Sequence, residues 1–239
     1  MENQFSRTER ILGHEALVRL SRCRVAVFGI GGVGGHAAEA LVRSGIGALD
    51  LFDHDQISLS NLNRQIFALH STLGMLKVDA ARKRLLDINP NLELHTFPVF
   101  YLPENADNFD LTVYDYIIDA MDTVTAKLTL AENAWKSGIP ILSAMGTGNK
   151  LDPTAFEIAD IFDTSVCHLA RIMRKECRKR SIPHLKCLFS REDTIKPDGE
   201  EPNDSRRETP GSNAFVPGTA GLILAGEVVK DLTEEFRRN

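Results

Sequence analysis

Apolar and polar positions alternate in blocks along the first 145 residues, and these blocks predict strands that alternate with helices. Short apolar runs rich in β-branched residues predict buried strands. They lie at Arg24–Phe28, Ala48–Phe52, Glu93–Val99, Tyr116–Ile118 and Pro140–Ser143. Good helix formers predict helices at Gly34–Ser44, Lys77–Ile88 and Lys127–Ser137, after a short amphipathic stretch at Gly13–Leu20. This order predicts an α/β fold with a Rossmann-like, doubly wound, mostly parallel sheet.

The pattern weakens after Met145. The spacing predicts a helix over Ser165–Arg180 and a C-terminal helix that begins near Pro217. Between them, Glu192–Gly211 is rich in Pro, Gly, Asn and Asp, which is typical of a mobile surface loop. We expect a Rossmann-like domain over residues 1–160 and a C-terminal extension over residues 161–239 that packs on the same core.

Composition narrows the class of protein. Apolar residues make up 43% of the 239 residues and charged residues 26%, which predicts a soluble globular protein. The net charge of -5 argues against a surface that is basic throughout, although it allows a local basic patch. We expect a cytoplasmic protein without membrane contact, because the first seven residues do not resemble a signal sequence and Ala220–Gly226 is too short to span a bilayer. Four cysteines without a C-x-x-C pair predict free thiols.

A glycine-rich motif follows the first predicted strand. Gly29, Gly31, Gly32 and Gly34 form G-x-G-x-x-G between that strand and a helix, where backbone N–H groups can approach phosphates. Asp53 ends the next strand, at the position expected to bind ribose hydroxyls. Together they predict an adenine nucleotide site. Alone they would indicate an NAD dehydrogenase, and the glycines can also serve only to pack helix on strand.

Further polar residues favour ATP cleavage over hydride transfer. They are Asp55, Asn61, Asn63, Arg64, Gln65 and Lys77. Because charge builds up on phosphates when ATP is cleaved, a guanidinium from Arg64 and an ammonium from Lys77 can stabilise the transition state. The alternative is that both cations are ordinary solvated surface residues.

Two carboxylates follow the Tyr116–Ile118 strand. Asp119 and Asp122 offer the oxygen ligands that Mg²⁺ prefers, next to the expected phosphates. Asp122 can alternatively be the N-cap of the following helix, without a metal role.

At these residues, from Arg10 to about Ile158, the chain resembles the ubiquitin-activating-enzyme superfamily, whose bacterial members adenylate carboxylates. The resemblance implies that Asp53 binds ribose, that Arg64 and Lys77 bind phosphates, and that Asp122 works with Mg²⁺. It also implies a homodimer in which Arg10 reaches the nucleotide of the partner subunit. The alternative for Arg10 is a solvated helix residue whose stem lies on apolar surface.

Within the superfamily, the chain resembles the tRNA threonylcarbamoyladenosine dehydratases over nearly its whole length. The segments that carry this resemblance are Thr8–Gly13, Ser44–Gly47, Asn63–Gln65, Ile88–Pro90 and Gly211–Pro217. It implies an enzyme that uses ATP and Mg²⁺ to activate the threonyl carboxylate of the modified base and cyclise it. A monovalent cation and a cysteine-desulfurase or other sulfur-transfer partner are further expectations.

The sequence differs from its possible relatives in two cysteine features, and these differences help to choose between the candidate functions. Relatives that adenylate sulfur-carrier proteins usually have two C-x-x-C pairs, and this sequence has none. Some dehydratases have a cysteine where Ser212 and Asn213 stand here, which argues against a covalent thioester step. The alternatives are, in order, an adenylyltransferase for a ubiquitin-like sulfur carrier, a nucleotide-sensing module without turnover, and an NAD oxidoreductase.

A run of cations between Arg171 and Arg191 is the predicted tRNA contact. It is centred on Arg174, Lys175, Arg178, Lys179 and Arg180. Such a density of cations on an acidic protein favours phosphate contacts. A solvated helix face with its apolar side packed inward would give the same pattern.

Overall fold

A computed structural model describes residues 3–196 and 210–234. Its helices are α1 Ser6–Leu12, α2 His14–Leu20, α3 Gly34–Ser44, α4 Lys77–Ile88, α5 Val124–Ser137, α6 His168–Lys179 and α7 Phe215–Leu232. Its strands are β1 Arg24–Phe28, β2 Ala48–Phe52, β3 Glu93–Phe97, β4 Tyr116–Asp119, β5 Ile141–Ala144, β6 Phe156–Asp160 and β7 Lys186–Ser190.

The strands form one sheet in the order β3-β2-β1-β4-β5-β7-β6. All neighbours are parallel except β6 and β7, which are antiparallel. Helices α3, α4 and α7 cover one face through Leu41, Leu85 and Leu224, and α5 and α6 cover the other through Leu130 and Met173. The predicted doubly wound, mostly parallel α/β fold is therefore confirmed.

Three elements differ from the prediction. Helix α1 and strands β6 and β7 were not predicted, whereas the bounds of the predicted elements shift by at most three residues up to α6. Strand β7 pairs with β5 and β6, so residues from the predicted extension complete the sheet of the predicted domain. The boundary at residue 160 stays a prediction. Most of the predicted Glu192–Gly211 loop, residues 197–209, lies outside the described residues.

The packing of α7 on α3 fixes the start of α3 beside the sheet. A Cβ added to Gly221 of α7 would lie 2.3 Å from the carbonyl oxygen of Val33, so only glycine allows this approach. Within the described residues, every helix is too short or too polar to cross a bilayer.

Candidate active site

A cavity of about 290 Å³ lies at the carboxyl ends of β1, β2 and β4. The strands are parallel here, but the order of strands in the sheet reverses at β1, with β2 and β3 on one side and β4 and β5 on the other. Open α/β sheets bind ligands at such a switch point, outside the carboxyl ends of the strands. Ten of the fourteen residues that the sequence predicts for the site line this cavity. They are Gly29, Gly31, Gly32, Asp53, Asp55, Asn61, Arg64, Gln65, Lys77 and Asp122.

The four motif glycines divide into two functions. Gly29 has φ +81°, and a Cβ there would lie 2.8 Å from the carbonyl oxygen of Ala120; a Cβ on Gly34 would lie 1.8 Å from that of Gly29. These two glycines let the strand, the turn and α3 pack closely, which agrees with the packing alternative. Gly31 and Gly32 line the cavity, and Gly29 borders it as well. Helix α3 begins there without a side-chain cap, so its first N–H groups favour an anion.

The carboxylate of Asp53 holds the glycine-rich turn. Its Oδ2 accepts from the backbone N–H of Ile30 at 2.9 Å, and its Oδ1 accepts from that of Asp55 at 2.9 Å. Lys77, in the first turn of α4, is buried and its Nζ donates to Oδ2 of Asp55 at 2.6 Å. Nζ also lies 3.5 Å from Oδ1 of Asp53. Lys77 is therefore a buried cation that two carboxylates keep in place, and this contradicts the alternative that it is a solvated surface residue.

The segment after β2 brings Arg64 over the glycines. The stem of Arg64 packs on Gly32, since a Cβ there would lie 3.3 Å from its Cγ. Its Nη1 donates to the carbonyl oxygen of Ser60 and to Oδ1 of Asn63, both at 3.0 Å. Asn63 in turn donates to the carbonyl oxygen of Ser212 at 2.9 Å and does not line the cavity. Its place in the structure is to join the Arg64 segment to the one before α7.

The structure does not bring Asp119 to the cavity. Its side chain is fully buried, where Nζ of Lys127 lies 2.8 Å from Oδ2 and the hydroxyl of Ser143 donates to the same oxygen at 2.6 Å. Lys127 also donates to the carbonyl oxygen of Met121 at 3.2 Å. Asp119 is thus neutralised in the core and fastens the turn between β4 and α5, and it is not available as a metal ligand.

Asp122 is exposed and lines the cavity. The N-cap of α5 is Thr123, so Asp122 stands one residue before the cap and does not take the capping role.

Gly34 packs behind the motif. Arg10 is exposed on α1 and is not part of the cavity wall.

Aromatic residues that the sequence pattern did not predict form one wall of the cavity. Phe100 and Tyr101 line the cavity, and the ring of Phe100 stacks on that of His54 with centroids 4.4 Å apart. Burial raises the pKa of Tyr101, whose hydroxyl accepts from Asn133 at 3.2 Å. Their position was a usable signal, because they follow β3, which ends at the same edge of the sheet as β2.

Helix α6 keeps its apolar side inward and several of its cations are already paired. Arg174 bonds to Thr164, Arg178 lies over the ring of Phe162 with its Cζ 5.2 Å from the centroid, and Arg180 pairs with Glu132 at 3.0 Å. Lys179 pairs with its helix neighbour Glu176 at 2.6 Å. Lys175 is exposed and makes no ion pair with residues 3–196 or 210–234.

All four cysteines are free thiols, as predicted, and the structure buries all of them. Burial raises the pKa of Cys23 and of Cys177 to about 11 and that of Cys187 to about 12. These thiols are poor nucleophiles at neutral pH.

Residues 4–239 match the ThiF family. This chain belongs to that family. It is 44% identical over 246 residues to a tRNA threonylcarbamoyladenosine dehydratase of Bacillus subtilis, which covers 99% of this chain and 97% of the relative. The dehydratase of Escherichia coli, solved in complex with ATP, matches with a TM-score of 0.89 and 31% identity over 97% of this chain and 94% of that one. The predicted membership of the dehydratase family is confirmed.

A second class of relative matches over a shorter part of the chain. The adenylyltransferase and sulfurtransferase of Candida glabrata is 35% identical over 133 residues, which is 56% of this chain and 30% of that protein.

Proposed function

We propose that this ThiF-family chain uses ATP to activate the threonyl carboxylate of threonylcarbamoyladenosine in tRNA, and that it then closes a ring with net loss of water. The observation that carries the proposal is the cavity, which joins a glycine-rich turn and an uncapped helix start with two cations on a Rossmann-like sheet. The full-length similarity to dehydratases supports the same substrate.

In the first step, a carboxylate oxygen of the substrate attacks the α-phosphorus of ATP and pyrophosphate leaves. Negative charge then accumulates on the phosphates. Arg64 and Lys77 stand on the cavity wall beside Gly31 and Gly32, where a guanidinium, an ammonium and backbone N–H groups can stabilise that charge. Asp53 positions the turn through its bond to Ile30 and retains lone pairs for the ribose hydroxyls.

Asp122 fits a Mg²⁺ ion that is shared with the nucleotide. It is an exposed carboxylate on the cavity wall, and Mg²⁺ is commonly bound by one or two carboxylates together with substrate phosphates. When bound, the ion would offset charge on the leaving pyrophosphate. Asp119 does not fit this role because Lys127 neutralises it.

In the second step, the ureido group of the same modified base attacks the activated carbonyl carbon. AMP leaves with the carboxylate oxygen, and one proton is released, so the base loses the elements of water. Intramolecular attack needs no external nucleophile and has a large effective molarity. The high pKa of the buried Cys177 and Cys187 thiols is consistent with a route that uses no thioester.

Two assembly features belong to the same proposal. Arg10 would act on the nucleotide of a partner subunit in a homodimer, since it is exposed on α1 beside Ile11, which is itself 85% exposed. The tRNA would contact the cations of α6. The monovalent cation and the sulfur-transfer partner stay predictions, and no residues are assigned to them. The cytoplasmic location also stays a prediction.

The second candidate function is activation of a sulfur-carrier protein. It shares the first step and the same nucleotide cavity. The absence of C-x-x-C pairs from the sequence and the shorter match to that class of relative favour the dehydratase.

The test is mass spectrometry of tRNA that bears threonylcarbamoyladenosine, after incubation with the protein, ATP and Mg²⁺. We expect a nucleoside lighter by one water, formed only when ATP is present, and one AMP for each product. A matched tRNA that lacks the threonylcarbamoyl group should yield no AMP. Absence of the product, with ATP–pyrophosphate exchange that requires a carrier protein, would assign the second function instead.

A further inference from the structure

A second cavity, of about 280 Å³, borders the beginnings of β4 and β5. These are the amino ends of the strands, so it opens at the opposite edge of the sheet from the nucleotide cavity. Its walls include Ile139, Pro140 and Leu185, and a pair formed by Lys186 and Asp231 adds polar groups. An apolar cavity with a few polar groups is the usual form of a small-ligand site. None of the residues proposed above for ATP lines it.

Two aromatic rings at this cavity are open to solvent. Trp135, near the end of α5, is 44% exposed, and His184 is also exposed. Their ring centroids are 4.8 Å apart and the planes meet at 83°. The edge-to-face contact fixes the indole while leaving part of its surface uncovered, which suits the stacking of another flat ring.

Two cations are held by a carboxylate close to Trp135. Glu132, one turn before Trp135 on the same helix face, accepts from Lys136 at 2.7 Å and from Arg180 at 3.0 Å. This shared carboxylate holds an ammonium and a guanidinium next to Trp135. Arg180 is also the C-cap of α6, so the aromatic pair lies beside the cationic surface of that helix.

We propose that Trp135 and His184 form a stacking site for one unpaired nucleotide of the bound tRNA. The proposal rests on the proposed function, because it takes tRNA as the partner. Proteins bind single-stranded nucleic acid by combining cations that follow the backbone with aromatic rings on which bases stack. Lys136 and Arg180 supply the first element, and the exposed Trp135 supplies the second.

The charge around the indole favours RNA over a protein partner. Lysine is depleted in protein interfaces, whereas phosphate contacts use lysine and arginine. A cavity of about 280 Å³ is also near the lower limit of small-molecule sites, which suits a single base.

The experiment uses a property of the sequence: Trp135 is the only tryptophan in the chain. Its fluorescence therefore reports on this site alone. We expect quenching when the full-length protein is titrated with tRNA or with a single-stranded oligoadenylate, and no quenching with a blunt RNA duplex of equal charge. Binding of each RNA is measured in parallel by filter retention. Binding of tRNA without any change in fluorescence would overturn the stacking site.

Two variants separate stacking from simple loss of bulk. Trp135→Leu should raise the Kd for tRNA about tenfold, because stacking of one base contributes to binding on this scale, while Trp135→Phe, which keeps a flat ring, should retain most of the affinity. Equal affinities for the two variants would contradict the proposal. If the wild-type protein retains no tRNA on the filter, the proposed function itself fails; loss of quenching alone removes only the stacking site.

Discussion

At the scale of single residues, Arg64 is the cation of the cavity whose proposed contact with the phosphates can be tested most directly. It packs on Gly32 and its Nη1 is tethered to Ser60, so the side chain is aimed before ATP binds. Arg64→Ala should lower the rate of pyrophosphate release about 100-fold or more, because one donor to transition-state charge contributes on that order. Arg43→Ala, on α3 and paired with Glu39, is the control and should keep its activity. Near-normal turnover of Arg64→Ala would remove the phosphate assignment.

Lys127 is the residue whose part in the site only the structure reveals. It neutralises Asp119 and bonds to Met121, directly before Asp122. Lys127→Met leaves a buried carboxylate without its cation, which costs about 3–5 kcal/mol in free energy of unfolding. The double variant Lys127→Met with Asp119→Asn should recover part of that stability, as measured by urea unfolding. Equal losses in the single and double variants would show that the ion pair does not hold this turn.

At the scale of elements, the sequence predicted best where strands are buried on both sides. β1 and β2 are apolar apart from Arg24 and Asp50 and are followed by Gly29 and Asp53, so their strand signal is strong. β6 is a half-buried strand at the edge of the sheet. Its polar residues Glu157 and Asp160 interrupt the apolar pattern, so the sequence did not predict it. Asp119 shows the limit for site residues: its place at a strand end predicted a ligand, and only a contact from α5 determines that it is neutralised in the core.

The basic face of α6 gives the prediction at this scale. Arg180 and Lys179 are partly neutralised by Glu132 and Glu176, whereas Lys175 is exposed without an ion pair in the described chain. Lys175→Glu should therefore weaken tRNA binding and lower the slope of log K against log salt by about one. Lys83→Glu on the exposed side of α4 makes the same change in net charge and serves as the control. An identical salt slope in both variants would make α6 a solvated face.

At the scale of the whole molecule, the buried thiols link stability to alkaline pH. Cys23 directly precedes β1, Cys177 lies in α6 and Cys187 lies in β7. They are therefore buried in two different parts of the hydrophobic core. Burial raises the pKa of each from 9.0 to about 11 or 12. Between these values the thiol stays protonated in the folded chain and ionises in the unfolded one. The unfolded state then binds fewer protons, so the free energy of unfolding falls as pH rises above 9.

Each such thiol can lower the free energy of unfolding by up to about 1.4 kcal/mol per pH unit above pH 9. Urea unfolding at pH 7.5, about 9.5 and about 10.5 should show a loss confined to the alkaline side. Cys187→Ala removes one thiol, and although the cavity lowers its stability at every pH, its alkaline slope should be smaller than that of the wild type. The comparison of slopes isolates the thiol from lysines and tyrosines, which both proteins share. Parallel curves for the two proteins would mean that Cys187 ionises equally in the folded and unfolded chains, against its burial in β7.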